Sequence, residues 1–221
     1  VEAGRNIIIM DDGFQHRRLE RDLDILLLDA REPFGIGELF PRGTLRERVS
    51  ACKRADLIVV TRIDALPDEK IEERVLGIRS LFPEKPVFTA RHKPVYLKDA
   101  AGNVHALGHL KDKKVMAVAG IADPSVFIED VSGLGCDVRT KVLFEDHHAY
   151  SASDMRLIAK KLAEGGLDAV VTTAKDHVKM REISANAVDG KLYILHVEME
   201  IVQDREAFFG RLDRVAAGQG N

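Results

Sequence analysis

Short apolar runs ending in Asp, Thr or Gly recur along this chain with amphipathic stretches between them, which is the pattern of a parallel sheet with crossover helices. The runs are Ile7 to Met10, Ile25 to Leu28, Leu57 to Val60, Val87 to Ala90, Val115 to Ala119, Ala169 to Val171 and Leu192 to Val197. All fall far below the roughly 18 to 20 apolar residues that cross a bilayer. Between them, Pro67-Asp68-Glu69 predicts a helix through Leu81, its first turn acidic where the helix dipole favours negative charge. Ser151 to Asp154 predicts the cap of a second helix, running through Leu162 and stopping at Gly165-Gly166. A third is expected over Asp204 to Val215. Val95-Tyr-Leu-Lys98 and Val104-His-Ala-Leu107 flank a Gly-Asn turn and read as a hairpin. The expected division is therefore an α/β domain over residues 1–91, a hairpin connector over 92–110, and a second, smaller α/β domain with a C-terminal helix over 111–221.

With 221 residues, 45% of them apolar, the chain can build a sizeable core. Lys and Arg number 33 against 36 Asp and Glu, a net charge of -3, which disfavours a general electrostatic grip on nucleic acid and confines any basic site to a local patch. Aromatic residues make up 5% and Trp is absent, so a base-stacking surface is not expected. Cys52 and Cys136 supply neither a disulfide framework nor a metal knuckle and read as small buried residues. Because the first run, Ile7 to Met10, reads as a buried strand that needs neighbours, the chain is expected to be the later portion of a longer protein.

The strongest local signal is Ile7-Ile-Ile-Met-Asp11-Asp12-Gly13-Phe14-Gln15-His16-Arg17-Arg18. A strand ending in Asp places a carboxylate in the crevice where doubly wound sheets bind ligands. In P-loop enzymes such a carboxylate holds the Mg²⁺ that bridges nucleotide phosphates, and the competing reading is a side chain that caps a turn. Further on, Gly35 and Gly37 allow backbone to approach a ligand closely, and Arg42 and Arg46 are forks suited to phosphate. Arg17 and Arg21 read as a solvated face.

The stretch from Asp11 to Arg18, followed by Asp24-Ile-Leu-Leu-Leu-Asp29 and Gly35-Ile-Gly37-Glu-Leu-Phe-Pro41-Arg-Gly-Thr-Leu45-Arg46-Glu47, closely resembles the tetraacyldisaccharide 4'-kinase family of lipid A biosynthesis. The resemblance continues through Arg54-Ala-Asp-Leu-Ile-Val-Val-Thr61-Arg62, Ala119-Gly-Ile-Ala122, Phe144-Glu-Asp-His147-His-Ala-Tyr150 and Thr172-Thr-Ala-Lys175-Asp176, so it covers nearly the whole chain. It implies a P-loop NTPase-like parallel sheet with helices on both faces, joined through the hairpin to the second domain. The implied activity is transfer of the γ-phosphate of ATP to the 4'-hydroxyl of an acylated disaccharide 1-phosphate lipid, at the cytoplasmic face of the bacterial inner membrane, with Mg²⁺ as cofactor.

Residue by residue, the resemblance makes Asp12 and His147 catalytic and sets Arg46 and Glu47 on the nucleotide side. It assigns Asp11, Asp12 and Glu47 to the metal, and Gln15, His16, Gly37 and Arg42 to the lipid substrate. His147 would orient or relay the sugar-hydroxyl proton, a role suited to the pKa range of imidazole, together with an upstream Asp absent from this chain. In extended backbone His147 and His148 point to opposite faces, so at most one faces the site.

The family's glycine-rich phosphate loop and N-terminal membrane-associated helix have no counterpart here, and Gly-x-x-x-x-Gly-Lys-Ser/Thr does not occur. The chain alone is therefore expected to be inactive. Ala174 stands where the family usually has Glu, and Asp123 where it usually has Asn. Thr61-Arg62-Ile63-Asp64 is similar to the Asn-Lys-x-Asp motif of guanine recognition, which leaves a GTPase-like cofactor or metal chaperone as an alternative. A non-catalytic remnant or interaction module is the other.

Overall fold

The computed structural model describes residues 7–181, 183 and 188–218. The strands are β1 (Ile25–Asp29), β2 (Leu57–Thr61), β3 (Val87–Asp99), β4 (Val104–His105), β5 (Lys114–Ala119), β6 (Asp137–Leu143), β7 (Ala169–Thr173) and β8 (Leu192–Ile201). The helices are α1 (Asp68–Leu81), α2 (Pro124–Gly133), α3 (Ala152–Glu164), α4 (Ala174–Arg181) and α5 (Arg205–Ala216). The chain forms two compact units, Val1–His92 with Met199–Asn221, and Lys93–Glu198. It passes from the first to the second along β3 and returns along β8.

In the first unit β1, β2 and β3 run parallel, with Leu27 opposite Val59 and Val59 opposite Phe88. β2 is buried along its whole length, and its side chains alternate between two apolar layers. Ile58 and Val60 pack with Val75 and Ile78 of α1, whereas Leu57 and Val59 pack with Phe88, Ile201 and Phe208. Phe208 meets Phe88 edge to face at 5.3 Å. That contact explains why α5 belongs to the first unit and not, as the sequence suggested, to the domain after residue 110. The apolar face of α5 is complementary to β2 and β3, although Phe208 and Phe88 lie far apart in sequence.

The second unit repeats the plan. β6, β5, β7 and β8 are parallel neighbours in that order. Met116, Val118 and Val170 face one layer with Ile158 and Leu162 of α3, while Val115, Ala117, Ala119 and Val171 face the other with Phe127 and Val131 of α2. The predicted hairpin forms, with Leu97 opposite His105 and Lys98 opposite Val104. Its turn is closed by the Asp99 carboxylate accepting from Asn103 N–H at 2.8 Å and by Gly102 at φ +95°. It lies within the second unit and is continuous with β3, for Pro94 does not end that strand.

α3 carries the predicted cap. Ser151 Oγ accepts from Asp154 N–H at 3.3 Å, and the Asp154 carboxylate accepts from Ser151 N–H at 2.8 Å. Ser151→Ala should lower stability by about 1 kcal/mol, read as a shift in the urea midpoint at unchanged m. Asp123 caps α2 by accepting from Ser125 N–H, a role Asn fills equally well, so this departure from the family pattern costs the helix little. The sequence reading gave neither α2, α4 nor β6. The first two are short, and β6 alternates partly buried and exposed positions with few large apolar residues.

Ile7 to Met10 is not a strand. No ladder partner for it lies among the described residues, and Ile8 and Ile9 are almost fully exposed. Apolar sequence favours a strand only where a neighbour takes up its N–H and C=O groups. β1 likewise pairs only with β2 among the described residues, leaving Leu27 exposed at 56%.

Candidate functional site

In the first unit, residues 11–19 fold into successive turns in place of the expected strand end. His16 N–H donates to Gly13 C=O at 3.0 Å, and Leu19 N–H to His16 C=O at 3.3 Å. Arg21, far from being merely solvated, ties this loop down. Its guanidinium donates to His16 C=O at 2.6 Å and Leu19 C=O at 3.1 Å, and forks onto the Asp24 carboxylate at 2.6 and 3.0 Å. Asp12 takes the left-handed conformation, φ +51°, which short polar side chains tolerate best among residues with a Cβ.

This loop meets the segment after Thr44 through a set of charged pairs. Arg46 Nη1 donates to both carboxylate oxygens of Asp12, at 2.9 and 2.8 Å. Glu47 accepts from Arg17 at 2.9 Å and from Arg54 at 2.7 and 3.1 Å. Arg54 also lies over the Phe14 ring, 4.5 Å from its centroid, and reaches the Phe14 carbonyl. Sequence reasoning grouped Asp12, Arg46 and Glu47 but assigned no site role to Arg17 or Arg54, because Arg17 pairs with Glu47 across 30 residues and Arg54 across seven, spacings that leave no trace in local periodicity. Asp12 and Arg46 are more than 60% exposed, so solvent screens their pair and it acts mainly to orient both groups.

Glu47 is less exposed, and hydrogen bonds from Arg54 and then Arg17 hold its carboxyl below the ordinary range. A lowered carboxylate pKa stabilises the fold fully above the unfolded value and loses that contribution as pH falls through the folded one. The difference in thermal midpoint between the parent chain and Glu47→Gln should therefore be constant from pH 7 to about pH 5 and shrink below about pH 4. A difference that persists undiminished in acid would show that the arginines do not bias its ionisation.

The remaining candidates lie on the same unit. Gln15 and His16 are exposed and, with Met10 and Leu19, line an open depression. Gly37 takes φ +78°, with nothing within 4 Å of the position a Cβ would occupy, so conformation and not crowding calls for glycine there. Gly35, at φ +53°, would instead drive a Cβ into the Thr44 hydroxyl. The loop from Glu38 to Leu45 is closed by Phe40 N–H to Leu45 C=O at 2.9 Å and displays Arg42, exposed, its side chain without a hydrogen-bond or ion-pair partner among the described residues.

The metal assignment of Asp11, Asp12 and Glu47 meets a plain obstacle. Asp12 and Glu47 spend their charge on arginines, and among the described residues no three His, Cys, Asp or Glu side chains converge to hold an ion. The residues present do not by themselves fit Mg²⁺. Nor is Arg62 free to read a base: at φ +57° it donates to Asp29 at 3.3 Å. Burial raises the Asp29 carboxyl, but Arg31 and Arg62 together outweigh it and hold it low.

In the second unit the two histidines differ from the extended picture. His147 is left-handed, φ +58°, so alternation does not apply, and its ring is 87% exposed with Asp146 at 3.6 Å. His148 is the seated one. Its ring stacks on Phe144 at 4.3 Å, meets Tyr150 edge to face, and contacts the Asp154 carboxylate through Nε2 at 3.2 Å. Behind it, Asp176 is wholly buried and accepts from Gly120 N–H at 3.1 Å and Thr173 Oγ1 at 2.7 Å. Burial, followed by the nearby Asp176 charge, raises the Tyr150 phenol well above its ordinary range.

Mostly parallel strands flanked by helices define an α/β fold. The comparisons give the family. The model of tetraacyldisaccharide-1-P 4'-kinase matches residues 1–217, and the chain belongs to that family. It is 37% identical over 201 residues to the tetraacyldisaccharide 4'-kinase of Anaeromyxobacter dehalogenans (strain 2CP-C), covering 90% of this chain and 53% of that protein. Its identity to the enzyme of Desulfatibacillum aliphaticivorans is 38% over 211 residues, covering 91% and 54%. Among solved structures it resembles LpxK from Aquifex aeolicus in complex with ATP, with a TM-score of 0.63 and 28% identity over 89% of this chain and 53% of that one. The chain thus spans about half the length of these relatives.

Proposed function

We propose that this chain forms part of an ATP-dependent kinase that phosphorylates the 4'-hydroxyl of tetraacyldisaccharide 1-phosphate in lipid A biosynthesis. One observation carries the reading: the family's Asp11-to-Glu47 motif folds into a single cluster in which Asp12 orients Arg46 beside a Glu47 that is already neutralised by Arg17 and Arg54. In phosphoryl transfer a P–O bond forms to the acceptor hydroxyl as the bond to the departing ADP oxygen breaks, and positioned cations stabilise the charge that spreads over the transferred group. Arg46, oriented by Asp12, would take that role, while the Arg42 side chain, with Gln15, His16 and the open backbone at Gly37, suits an anionic sugar lipid. His147 is an exposed imidazole able to take the hydroxyl proton. Mg²⁺ accompanying ATP would supply further charge neutralisation, but Asp12 and Glu47 are already occupied by arginines and are not proposed as its ligands. Work on a lipid acceptor fits a site at the cytoplasmic face of the inner membrane. No helix among the described residues is long and apolar enough to cross a membrane.

The test is transfer of labelled phosphate to purified tetraacyldisaccharide 1-phosphate by the complete gene product, with ATP and GTP run in parallel. Labelled lipid formed from ATP is the expected result. Absence of product, or a preference for GTP, would overturn the reading.

A further inference from the structure

The orphaned polar atoms of the second unit converge on one place. Asp176 Oδ1 and the Tyr150 hydroxyl are both buried without a hydrogen-bond partner among the described residues. A Cβ built on Gly120 would lie 3.2 Å from each of them and 3.2 Å from His148 Cβ. These three groups and the Gly120 backbone therefore crowd the same point, at the end of β5. The other oxygen of Asp176 is committed: it accepts from Gly120 N–H and from Thr173 Oγ1, and Thr173 Oγ1 in turn accepts from Asp176 N–H at 3.1 Å. One carboxylate thus already joins the ends of β5 and β7, with a lone pair left over toward the histidine loop.

We propose that Asp176 is a positioning residue for the loop Phe144–Tyr150, acting through a hydrogen bond donated by the Tyr150 hydroxyl to Asp176 Oδ1. A buried acceptor and a buried donor left unpaired each cost more than the bond between them returns, so their pairing is strongly favoured wherever geometry permits. Tyr150 is two residues beyond His148, and its ring packs on both Phe144 and His148, so fixing the hydroxyl fixes the stack on which His148 rests. From the other side Asp154, the capping residue of α3, holds His148 Nε2. The loop is then pinned at buried Tyr150 and at half-buried His148, while His147, immediately before them, projects outward. Gly120 is required because any Cβ there would press against the anchor itself. The value of this arrangement to catalysis rests on the role proposed for His147, but the anchoring does not.

Amide hydrogen exchange on the 221-residue chain tests the anchoring without any activity. Tyr150→Phe removes only the hydroxyl and should raise exchange in residues 144–150 by roughly tenfold, leaving α5 and β2 unchanged. Asp176→Asn, which keeps the shape, should loosen the same loop. Should Asp176→Asn unfold the unit, Tyr150→Phe decides alone. Exchange in the loop that is unchanged by Tyr150→Phe, or raised equally throughout the unit, would overturn the proposal. In the complete gene product the same variant should lower kcat several-fold with KM for ATP unaltered. Loosened exchange with full kcat would retain the anchor and remove His147 from the mechanism, so the two claims fail separately.

Discussion

Asp12→Asn in the complete gene product is expected to lower kcat by about two powers of ten or more, with a smaller effect on KM. Positioned acid, base or charge-stabilising groups commonly contribute ~10²- to 10⁴-fold. In the proposed role Asp12 would act in two ways: both of its oxygens accept from Arg46 Nη1, and it presents one of the two acidic side chains at the head of the motif. Asn keeps the volume and one acceptor oxygen but loses the charge, so Arg46 would have less reason to stay where phosphate charge develops. The pair is exposed, so the fold should tolerate the change and a melting curve should move little. An unaltered kcat would take Asp12 out of the mechanism, and a collapse in stability would make it a structural residue. Arg46→Lys offers a second view: it keeps the charge but loses the fork, and should recover only part of the loss.

How far the fold could be read from the sequence depended on whether a residue's partners were local. β2, β5 and β7 are buried on both faces and announce themselves as unbroken apolar runs, and α3 carries its stop and start signals within a few residues of its ends. Ile7 to Met10 has the same composition as those strands, but nothing among the described residues pairs with it, so composition alone misleads there. The C-terminal helix shows the opposite failure: α5 was foreseen as a helix, but its unit was not, since Phe208 finds Phe88 through tertiary packing alone.

The site divides in the same way. The motif grouped Asp12, Arg46 and Glu47, and in the structure Asp12 meets Arg46 while Glu47 meets Arg17 and Arg54. Arg17 is solvent-facing as read, and Arg54 entered only as part of a family motif, but the pairing of both with Glu47 was not foreseen. For the histidines, the error lay in assuming extended backbone: positive φ at His147 turns its ring outward and leaves His148 as the seated neighbour. Asp176 could have been suspected from its place two residues after the β7 run and Ala174, but its burial and its tie to Gly120 are visible only in three dimensions.

The 221-residue chain by itself is expected to bind MgATP feebly, with an affinity weaker than about millimolar, and to phosphorylate no lipid acceptor. Triphosphate binding in P-loop enzymes relies on a glycine-rich loop whose N–H groups and Lys surround the β- and γ-phosphates, and no Gly-x-x-x-x-Gly-Lys-Ser/Thr occurs in these residues. What the chain does provide is largely compensated already. Arg46 is engaged by Asp12, and Arg17 and Arg54 by Glu47, so a triphosphate would have to displace a carboxylate to gain each cation. The side chains of Arg18 and Arg42 are not so engaged among the described residues, and such exposed arginines contribute little against the solvation of a polyanion in water. Asp11 and Asp12 would attract the metal but repel the phosphates it carries unless other donors intervene. Calorimetric titration of the chain with MgATP, beside the complete gene product, decides the matter. Micromolar affinity in the 221-residue chain would mean that a second phosphate-binding element operates within it, and the first places to look would be the positive-φ backbone at Gly35 and Gly37 and the N–H of Gly120 at the end of β5.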